Sequence, residues 1–390
     1  MGIKIFTANI EEQALEQIRN IMKNPAFLGS KIRIMPDVHA GKGCVIGFTA
    51  NFRDKIIPNI VGVDIGCGML GINIGDIDVD LAELDQTIRT LIPAGREVHN
   101  EGLEKALELK PLLEKRPYLK DIDYLIRSIG TLGGGNHYIE LDQASNGDKW
   151  LVIHSGSRNL GTQVANHYQE LAIQNIKNKL VNRAEIINTL KSQGRQKEIQ
   201  SVLENLKTPD FNKELAYIEG QDLEHYLIDQ ELAKQYAAAN RMLIAKIIIL
   251  TMGWDIKDVV ETIHNYIEGD MVRKGAIDAT ENKRVLIPLN MRDGVILGNG
   301  LGNSDWNNSG PHGAGRVLSR KAAQEQISLE DYRESMVGIY SSSINESTID
   351  ESPMVYKPAE EIQELIKETV EIIDVMKPLY NFKASNSGDR

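Results

Sequence analysis

Cysteine is rare in this sequence, and no long uninterrupted apolar run occurs in it. Only Cys44 and Cys67 are found among 390 residues, which excludes a disulfide scaffold and predicts a reducing compartment. The longest apolar stretch, residues 243–254, is interrupted by Lys246 and is too short for a membrane-spanning helix. Residues 1–6 lack the pattern of a signal peptide. We therefore expect a cytoplasmic protein that makes no use of a membrane.

The sequence also lacks an excess of positive charge and the familiar nucleotide-binding loops. Its formal net charge is −11, which argues against a broad nucleic-acid-binding surface but is compatible with a local basic groove. No Walker A loop occurs. Residues 66–71 match the dinucleotide fingerprint in letters alone, because a strand is predicted after them where that motif needs a helix. Any nucleotide must be bound by a less common arrangement.

Hydrophobic periodicity predicts an α+β fold in one composite domain over residues 1–390. Residues 11–24 have helical apolar spacing, and residues 162–252 are helical in pattern with breaks near 193–194 and 208–210. Apolar or alternating runs predict strands at residues 32–36, 56–63, 69–74 (half-buried), 150–154, 285–288 and 294–298. We expect a sandwich-like β-sheet core surrounded by helices. Residues 162–252 would form a long helical excursion from it, since chemistry-bearing blocks lie on both sides.

The residues whose side chains could bind a metal or act in catalysis are gathered in short glycine-rich or polar blocks. Each block contains a Cys, His or Asp, and the blocks are residues 61–69, 133–137, 154–158, 264–265 and 312–316. Glycine lets the backbone approach a metal or a phosphate without a Cβ in the way. One such block would carry little weight. Together they predict one dispersed metal and phosphate site.

A thiolate, imidazoles and a carboxylate form a suitable ligand set for a first-row divalent metal. The candidates are Asp64, Cys67, His137, His154 and His264. Taken singly, a histidine is more often a satisfied core residue, and Cys67 alone would be an inert buried thiol. Ligand affinity alone would favour zinc or copper over manganese. The combination predicts a metal site but leaves the metal open.

In their order along the chain, these blocks resemble those of the RtcB family of RNA-splicing ligases. The resemblance runs from about residue 30 to residue 384 and also includes residues 36–39, 132–140, 273–276, 350–353 and Lys383. It implies a ligase that depends on GTP and manganese and acts in RNA repair or tRNA splicing. Such an enzyme joins an RNA 3′-phosphate or 2′,3′-cyclic phosphate to a 5′-hydroxyl through a histidine–GMP intermediate.

The resemblance also implies roles for individual residues. Two manganese ions would be bound by Asp64, Cys67, His137, His154 and His264, with Cys67 bridging, and His312 would be the nucleophile. The implied GTP contacts are Asn136, Tyr138, Glu140, Asn290, His312, Gly313, Ala314, Gly315, Tyr356 and Lys383. The implied RNA contacts are Arg158, Arg316 and Arg320, because guanidinium offers bidentate donors to phosphate. RNA, GTP and an archease-like activating protein are the implied partners.

One segment departs from the family pattern. Residues 288–294 read Pro-Leu-Asn-Met-Arg-Asp-Gly, where the family has Pro-Gly-Ser-Met-Gly-Thr. Leu289 and Arg292 thus replace glycines, and Val295 stands where a serine is expected. We expect this segment to reshape the guanylate pocket, with Asn290 replacing a serine hydroxyl and Arg292 adding a cation near phosphate.

Two other functions are compatible with the same residues. A metal-dependent phosphoesterase could open RNA cyclic phosphates without transferring guanylate. A non-catalytic RNA-binding paralogue is the third hypothesis. The presence of His312 beside a complete ligand set argues against a pure binding protein, which has no need of a nucleophile. Labelling of the protein by α-labelled GTP distinguishes the ligase from both.

Overall fold

The fold is built on β-strands that lie before and after a long helical segment. The structure, a computed structural model, describes residues 2–181, 183–205 and 210–384. In this part of the chain the strands are β1 (Gly2–Ile5), β2 (Lys31–His39), β3 (Ile46–Asn51), β4 (Lys55–Ile56), β5 (Gly68–Gly75), β6 (Tyr138–Gln143), β7 (Lys149–Ser155), β8 (Ile218–Glu219), β9 (Asp258–Ile263), β10 (Asn265–Glu268), β11 (Met271–Lys274), β12 (Ala276–Asp278), β13 (Arg284–Asn290), β14 (Gly294–Gly300), β15 (Ser309–Pro311) and β16 (Val370–Lys383).

Helices cover the outside of these strands. They are α1 (Glu12–Met22), α2 (Pro58–Val61), α3 (Leu81–Leu91), α4 (Glu104–Leu107), α5 (Lys110–Glu114), α6 (Ile122–Arg127), α7 (Arg158–Val181), α8 (Arg183–Ser192), α9 (Ile199–Asn205), α10 (Gln221–Met252), α11 (Arg320–Gln326), α12 (Leu329–Ser335) and α13 (Ala359–Leu365). Within the described ranges, no helix combines the length and the apolar character needed to cross a membrane.

The largest sheet is antiparallel throughout and nearly closes on itself. Its strand order is β13-β14-β16-β6-β7-β5-β9. The two edge strands meet where the backbone N–H of Leu286 donates to Thr262 Oγ1 at 2.9 Å. Side chains alternate between the two faces of a strand. One face carries a buried apolar cluster that includes Met69, Trp150 and Val152, so the curled sheet has a packed interior.

A second, five-stranded sheet lies beside the first. Its order is β1-β2-β3-β11-β10, with a parallel β1–β2 pair and antiparallel pairs elsewhere. Two-stranded ribbons, β12–β15 and β4–β8, complete the β structure of the described residues. Because β15 leads directly into residue 312, this arrangement brings the chain back toward the large sheet after β14.

The predicted helical excursion is present as α7 to α10. Helix α7 begins at Arg158, four positions before the predicted start, and α8 ends at Ser192, just before the predicted break at 193–194. The second predicted break includes residues 208–209, which lie outside the described residues. Helix α10 has 32 residues, ends at Met252 and is capped by Gly253 in the left-handed conformation. Its two halves pack into different cores, through Tyr226 and Ile248 for example.

The α+β class and the sheet core are confirmed, and two local predictions are wrong. Of residues 56–63 only Ile56 lies in a strand, because Pro58 begins a helical turn, and its fixed φ and missing N–H suit a first helical position. Residues 69–74 are fully buried and not half-buried, since one face meets the interior and the other packs under α3 and α10. The partition into a single domain stays a prediction.

Arg241 on α10 connects the helix to the rim of the large sheet. Its side chain is fully buried, and Nη1 donates to the carbonyls of Gly66 and Ser155, each at 2.8 Å. The guanidinium also pairs with Glu261 at 2.8 Å. Gly66 and Ser155 directly adjoin two of the candidate metal ligands, so this one side chain positions both ligand-bearing segments.

Replacing Arg241 with Met should destabilise the protein strongly, because two buried carbonyls lose their donor. We expect a loss of roughly 3 kcal/mol in the free energy of unfolding. Lys246→Met, at an exposed position of the same helix, should change the free energy of unfolding by less than about 0.5 kcal/mol. Denaturant unfolding of both variants measures this. Equal unfolding midpoints would contradict the role given to Arg241.

Candidate active site and metal centre

The candidate ligands are gathered at one rim of the large sheet by strand register. Gly68, which begins β5, pairs with Ser155 at the end of β7 and with Ile263 at the end of β9. In antiparallel pairs, the start of one strand lies beside the end of its neighbour. Cys67 immediately precedes β5, His154 lies near the end of β7, and His264 follows β9. These three residues therefore meet at the rim.

Two groups of potential ligands overlap at Cys67. One consists of Cys67, His154 and His264, and the other of Asp64, Cys67 and His137, with the ligand atoms of each group within 4.8 Å of one another. Cys67 Sγ lies 3.3 Å from His154 Nε2 and 3.5 Å from His137 Nε2. His137 Nε2 lies 2.9 Å from Asp64 Oδ2. The five residues assigned as ligands from the sequence are thus brought together.

The hydrogen bonds of the imidazoles suit metal ligation through Nε2. Nδ1 of His137 lies 3.0 Å from the Leu132 carbonyl, and Nδ1 of His154 lies 3.2 Å from the Asn136 carbonyl. Each carbonyl can accept the Nδ1 proton of its ring, so that Nε2 is the nitrogen available to a bound metal ion. Burial holds the pKa values of His154 and His264 well below the ordinary value, which keeps both rings neutral.

The charge balance of the group also fits a bound cation. Burial, followed by the nearby Asp64 charge, raises the pKa of the Cys67 thiol well above its usual range. A divalent cation would reverse this effect, because it stabilises the thiolate. Burial opposes ionisation of Asp64 too, but the hydrogen bond and charge of His137 lower the pKa of Asp64. A partly buried carboxylate beside a thiol and imidazoles is a fitting donor set for a divalent metal.

Glycine is required at the loop that supports Asp64. The backbone N–H of Ser157 donates to Asp64 Oδ1 at 3.1 Å. A Cβ on Gly156 would lie 2.0 Å from the same oxygen. Any side chain at position 156 would therefore displace the carboxylate, which explains the Ser-Gly-Ser sequence after His154 in structural terms.

His312 is held by a carboxylate that the sequence interpretation did not single out. Its Nδ1 lies 2.6 Å from Asp37 Oδ2, and its backbone N–H donates to the same oxygen at 3.1 Å. Asp37 is completely buried. Gly315 approaches so closely that a Cβ there would lie 2.6 Å from the Asp37 carbonyl. The only signal for Asp37 was its place in the block of residues 36–39.

With Nδ1 engaged, Nε2 is the nitrogen of His312 that is left for chemistry. The ring lies beside that of His264, with centroids 4.8 Å apart. Both rings line a cavity of about 630 Å³ that also reaches Cys67 and His154. The histidine assigned as nucleophile and the metal-binding group therefore share one cavity.

All residues assigned to GTP from the sequence line this cavity. They are Asn136, Tyr138, Glu140, Asn290, His312, Gly313, Ala314, Gly315, Tyr356 and Lys383. They come from β6, β13, the loop after β15, the segment before α13 and the end of β16. Strands and loops far apart in sequence thus form a single wall.

Glu351 is a second functional candidate that sequence interpretation left without a role. It is 1% exposed and accepts hydrogen bonds from Lys383 Nζ at 3.0 Å and from Tyr356 Oη at 2.6 Å. Arg316 and Arg320 lie 3.3 and 3.1 Å from its other oxygen. Although burial opposes ionisation, these three cations lower the pKa of Glu351 to about 2.

These ion pairs occupy side chains that had been assigned to substrates. Arg316 and Arg320, assigned to RNA, also bond to the Asp350 carbonyl and side chain, each at 2.6 Å. Lys383, assigned to GTP, pairs with Glu351. All three still line the cavity, but each would have to exchange or share a partner to contact a ligand.

Arg158, the other residue assigned to RNA, lies in a neighbouring cavity of about 950 Å³. Its guanidinium donates to Thr131 Oγ1 at 3.2 Å and to the Gly95 carbonyl at 2.8 Å. A Cβ on Gly133 would lie 1.5 Å from it, so the glycine leaves space for the side chain. Asp64 lines both cavities, and His137 lines this one. The metal-binding group therefore forms a wall between them.

The divergent segment forms a self-contained turn. Leu289 is buried in an apolar cluster. Asn290 Oδ1 accepts from the backbone N–H groups of Arg292 and Asp293, at 3.0 and 2.9 Å, and its Nδ2 donates to Asp293. The Arg292 guanidinium pairs with Asp293 at 2.9 Å and is not part of the cavity lining among the described residues. Asn290 is thus engaged in holding the turn.

Comparison with known proteins gives consistent results over nearly the whole chain. The family model described as tRNA-splicing ligase RtcB matches residues 17–123 and 119–384. The RNA-splicing ligase RtcB of Escherichia coli (strain K12) is 30% identical over 96% of this chain and 95% of its own length. The tRNA-splicing ligase RtcB of Archaeoglobus fulgidus is 25% identical over 92% of this chain and 88% of its own length.

Replacing Cys67 with Ala should weaken metal binding at least about tenfold, because both ligand groups lose their shared atom. Stability should change little, since alanine fits a small buried space. Equilibrium dialysis against Mn²⁺ or Zn²⁺, followed by elemental analysis, measures the bound metal. Cys44→Ala is the matched control, because Cys44 is equally buried but outside the ligand groups. Equal metal contents in the two variants would show that Cys67 is an ordinary packed thiol.

Proposed function

We propose that this chain, which belongs to the RtcB family of tRNA-splicing ligases, ligates RNA at the expense of GTP. It would join an RNA 3′-phosphate or 2′,3′-cyclic phosphate end to a 5′-hydroxyl end, in tRNA splicing or RNA repair. The observation that carries the proposal is the orientation of His312 by Asp37 in the cavity that holds the Cys–His group. A packing histidine needs neither a buried carboxylate nor such a cavity.

In the first step, His312 Nε2 would attack the α-phosphorus of GTP. An N–P bond forms, the bond to the β-phosphate oxygen breaks, and pyrophosphate leaves. An imidazole attacks phosphorus only through an unprotonated nitrogen. Asp37 supports this by accepting a hydrogen bond from Nδ1–H, which fixes the tautomer and stabilises positive charge as the ring becomes substituted.

Two further transfers would complete the reaction. An oxygen of the RNA 3′-phosphate attacks the same phosphorus, the N–P bond breaks, and guanylate is left on the RNA end. The 5′-hydroxyl of the second RNA then attacks the RNA phosphate, and GMP departs with the former anhydride oxygen. A cyclic phosphate must first be opened by water. His312 is regenerated, so one GTP is consumed for each joined end.

Asp64, Cys67, His137, His154 and His264 are the residues that would hold two divalent ions. Manganese, which the family resemblance implies, would supply Lewis acidity that makes phosphorus more open to attack. The chain's own contribution is to keep the His154 and His264 rings neutral and the Nε2 atoms of the group convergent. Burial of Cys67 and of the three imidazoles strengthens charge interactions at this position.

We propose the second cavity as the approach of an RNA end. Arg96, Lys120 and Arg158 line it, and it reaches the ligand group through Asp64 and His137. Three cations against the carboxyl groups of Asp64 and Asp121 give this lining a small excess of positive charge, which suits a polyanion even on a protein with a net charge of −11. Arg316 and Arg320 would contact RNA phosphate only by sharing with the carboxyl groups of Asp350 and Glu351.

His312→Ala should abolish covalent labelling by α-labelled GTP in the presence of manganese. The label on the unmodified protein should be acid-labile and alkali-stable, as expected for a phosphoramidate. His225→Ala, at an exposed position of α10, is the control and should be labelled normally. Label retained by His312→Ala would refute the assignment of the nucleophile. Opening of cyclic phosphates without any label would instead identify a phosphoesterase, and RNA binding without either reaction would identify a binding protein.

Asp37→Asn should slow guanylate transfer by about a hundredfold or more, because the neutral amide supports the required tautomer and charge poorly. GTP binding should change much less, since the Asp37 side chain is buried behind His312. Single-turnover labelling separates the transfer rate from the binding constant. A loss of binding at an unchanged transfer rate would show that Asp37 shapes the cavity and does not activate His312.

A further inference from the structure

A pair of acidic side chains is buried where β6 passes the nucleotide cavity. Glu140 and Asp142 are two residues apart and so lie on the same face of the strand. The opposite face, with Ile139 and Leu141, packs in an apolar core. Glu140 is 2% exposed and lines the cavity, whereas Asp142 is fully buried behind it.

No donor group among the described residues reaches either side-chain oxygen of Asp142. Its cross-strand neighbours are Trp150 and Pro378, which offer its carboxyl group no charge. Its acidic neighbour is the Glu140 carboxyl group, two residues away on the same face of β6. Two carboxyl groups can bond to each other only if one of them keeps a proton. An ionised carboxylate buried without any donor is strongly disfavoured, so the surroundings of Asp142 favour its protonated form, for which Glu140 is the available acceptor.

The surroundings decide which member of the pair carries the charge. Glu140 accepts a hydrogen bond from Asn381 Nδ2 at 2.5 Å and feels the positive charge of Lys383. Tyr138 on the same strand is a neutral phenol, and Val152 faces Glu140 from β7. Burial raises the pKa of Glu140 to about 7, and burial with the Glu140 charge raises that of Asp142 well beyond its usual range.

We propose that Asp142 is a positioning residue that stays protonated and donates a hydrogen bond to Glu140, which thereby presents one fixed carboxylate to the nucleotide. A carboxylate held in this way accepts from two adjacent N–H groups, such as N1–H and the 2-amino group of guanine. Asp142 would thus contribute to base selection without touching the base. The inference rests on the proposed function, because it takes GTP as the ligand of this cavity.

The test is the pH dependence of equilibrium binding of GTP and of ITP, which lacks the 2-amino group, to the manganese-loaded protein. Binding should strengthen as the pH rises through about 7, where Glu140 ionises. Asp142→Leu removes the donor, so the midpoint should move up by about one pH unit and the preference for GTP over ITP should fall. Asp142→Asn keeps a hydrogen-bond donor, so it should retain both the pH midpoint and the preference for GTP over ITP. Glu371→Gln, at an exposed position of β16, is the control.

The outcomes separate the inference from the proposed function. An unchanged pH midpoint of GTP binding in Asp142→Leu would overturn the inference. A lower midpoint in Asp142→Asn would also overturn it, because it would show that Asp142 is ionised in the unmodified protein. Absence of GTP binding by the unmodified protein would overturn the proposed function. The infrared band of a protonated carboxyl group should be present in the unmodified protein and absent from Asp142→Asn. This readout needs no ligand, and failure to find the band would also refute a protonated Asp142.

Discussion

The site depends on one constraint, which is the register of the antiparallel pairs around β5. The pairing of Gly68 with Ser155 and Ile263 places the ends of three strands at one rim. A slip by one residue would turn every side chain of a strand to the opposite face. Such a slip would separate Cys67 from His154 and would also break the apolar interior. The packing of the core therefore specifies the geometry of the ligand group.

Burial of charge is the second determinant of the site. Neutral imidazoles, a low-pKa carboxyl group and arginine–carboxylate pairs are found within a small volume, and each is there because a partner offsets its loss of hydration. Glu351 has three cationic neighbours, and Arg241 satisfies two backbone carbonyls. These contacts make the site rigid. They also mean that ligands must compete with existing partners for Arg316, Arg320 and Lys383.

The sequence was sufficient to predict the α+β class, the helical excursion, most strands and the family, because apolar periodicity and the ordered blocks are local signals. It did not reveal Asp37, Glu351 or Arg241, since their importance arises from contacts with residues hundreds of positions away or in other elements. Pro58 was misassigned because an apolar run can begin a helical turn as well as a strand. The resemblance implied that Cys67 bridges two metals, and the two ligand groups of the folded chain overlap at this residue.

The wall formed by Asp64 and His137 between the two cavities has a kinetic consequence. If the nucleotide and the RNA end occupy the two cavities, as proposed, each would have its own cavity beside the shared ligand residues. Neither would then have to leave before the other arrives, and GMP could depart while the RNA end stays bound. The order of arrival and departure would be set by the affinities of the two cavities and not by a single entrance.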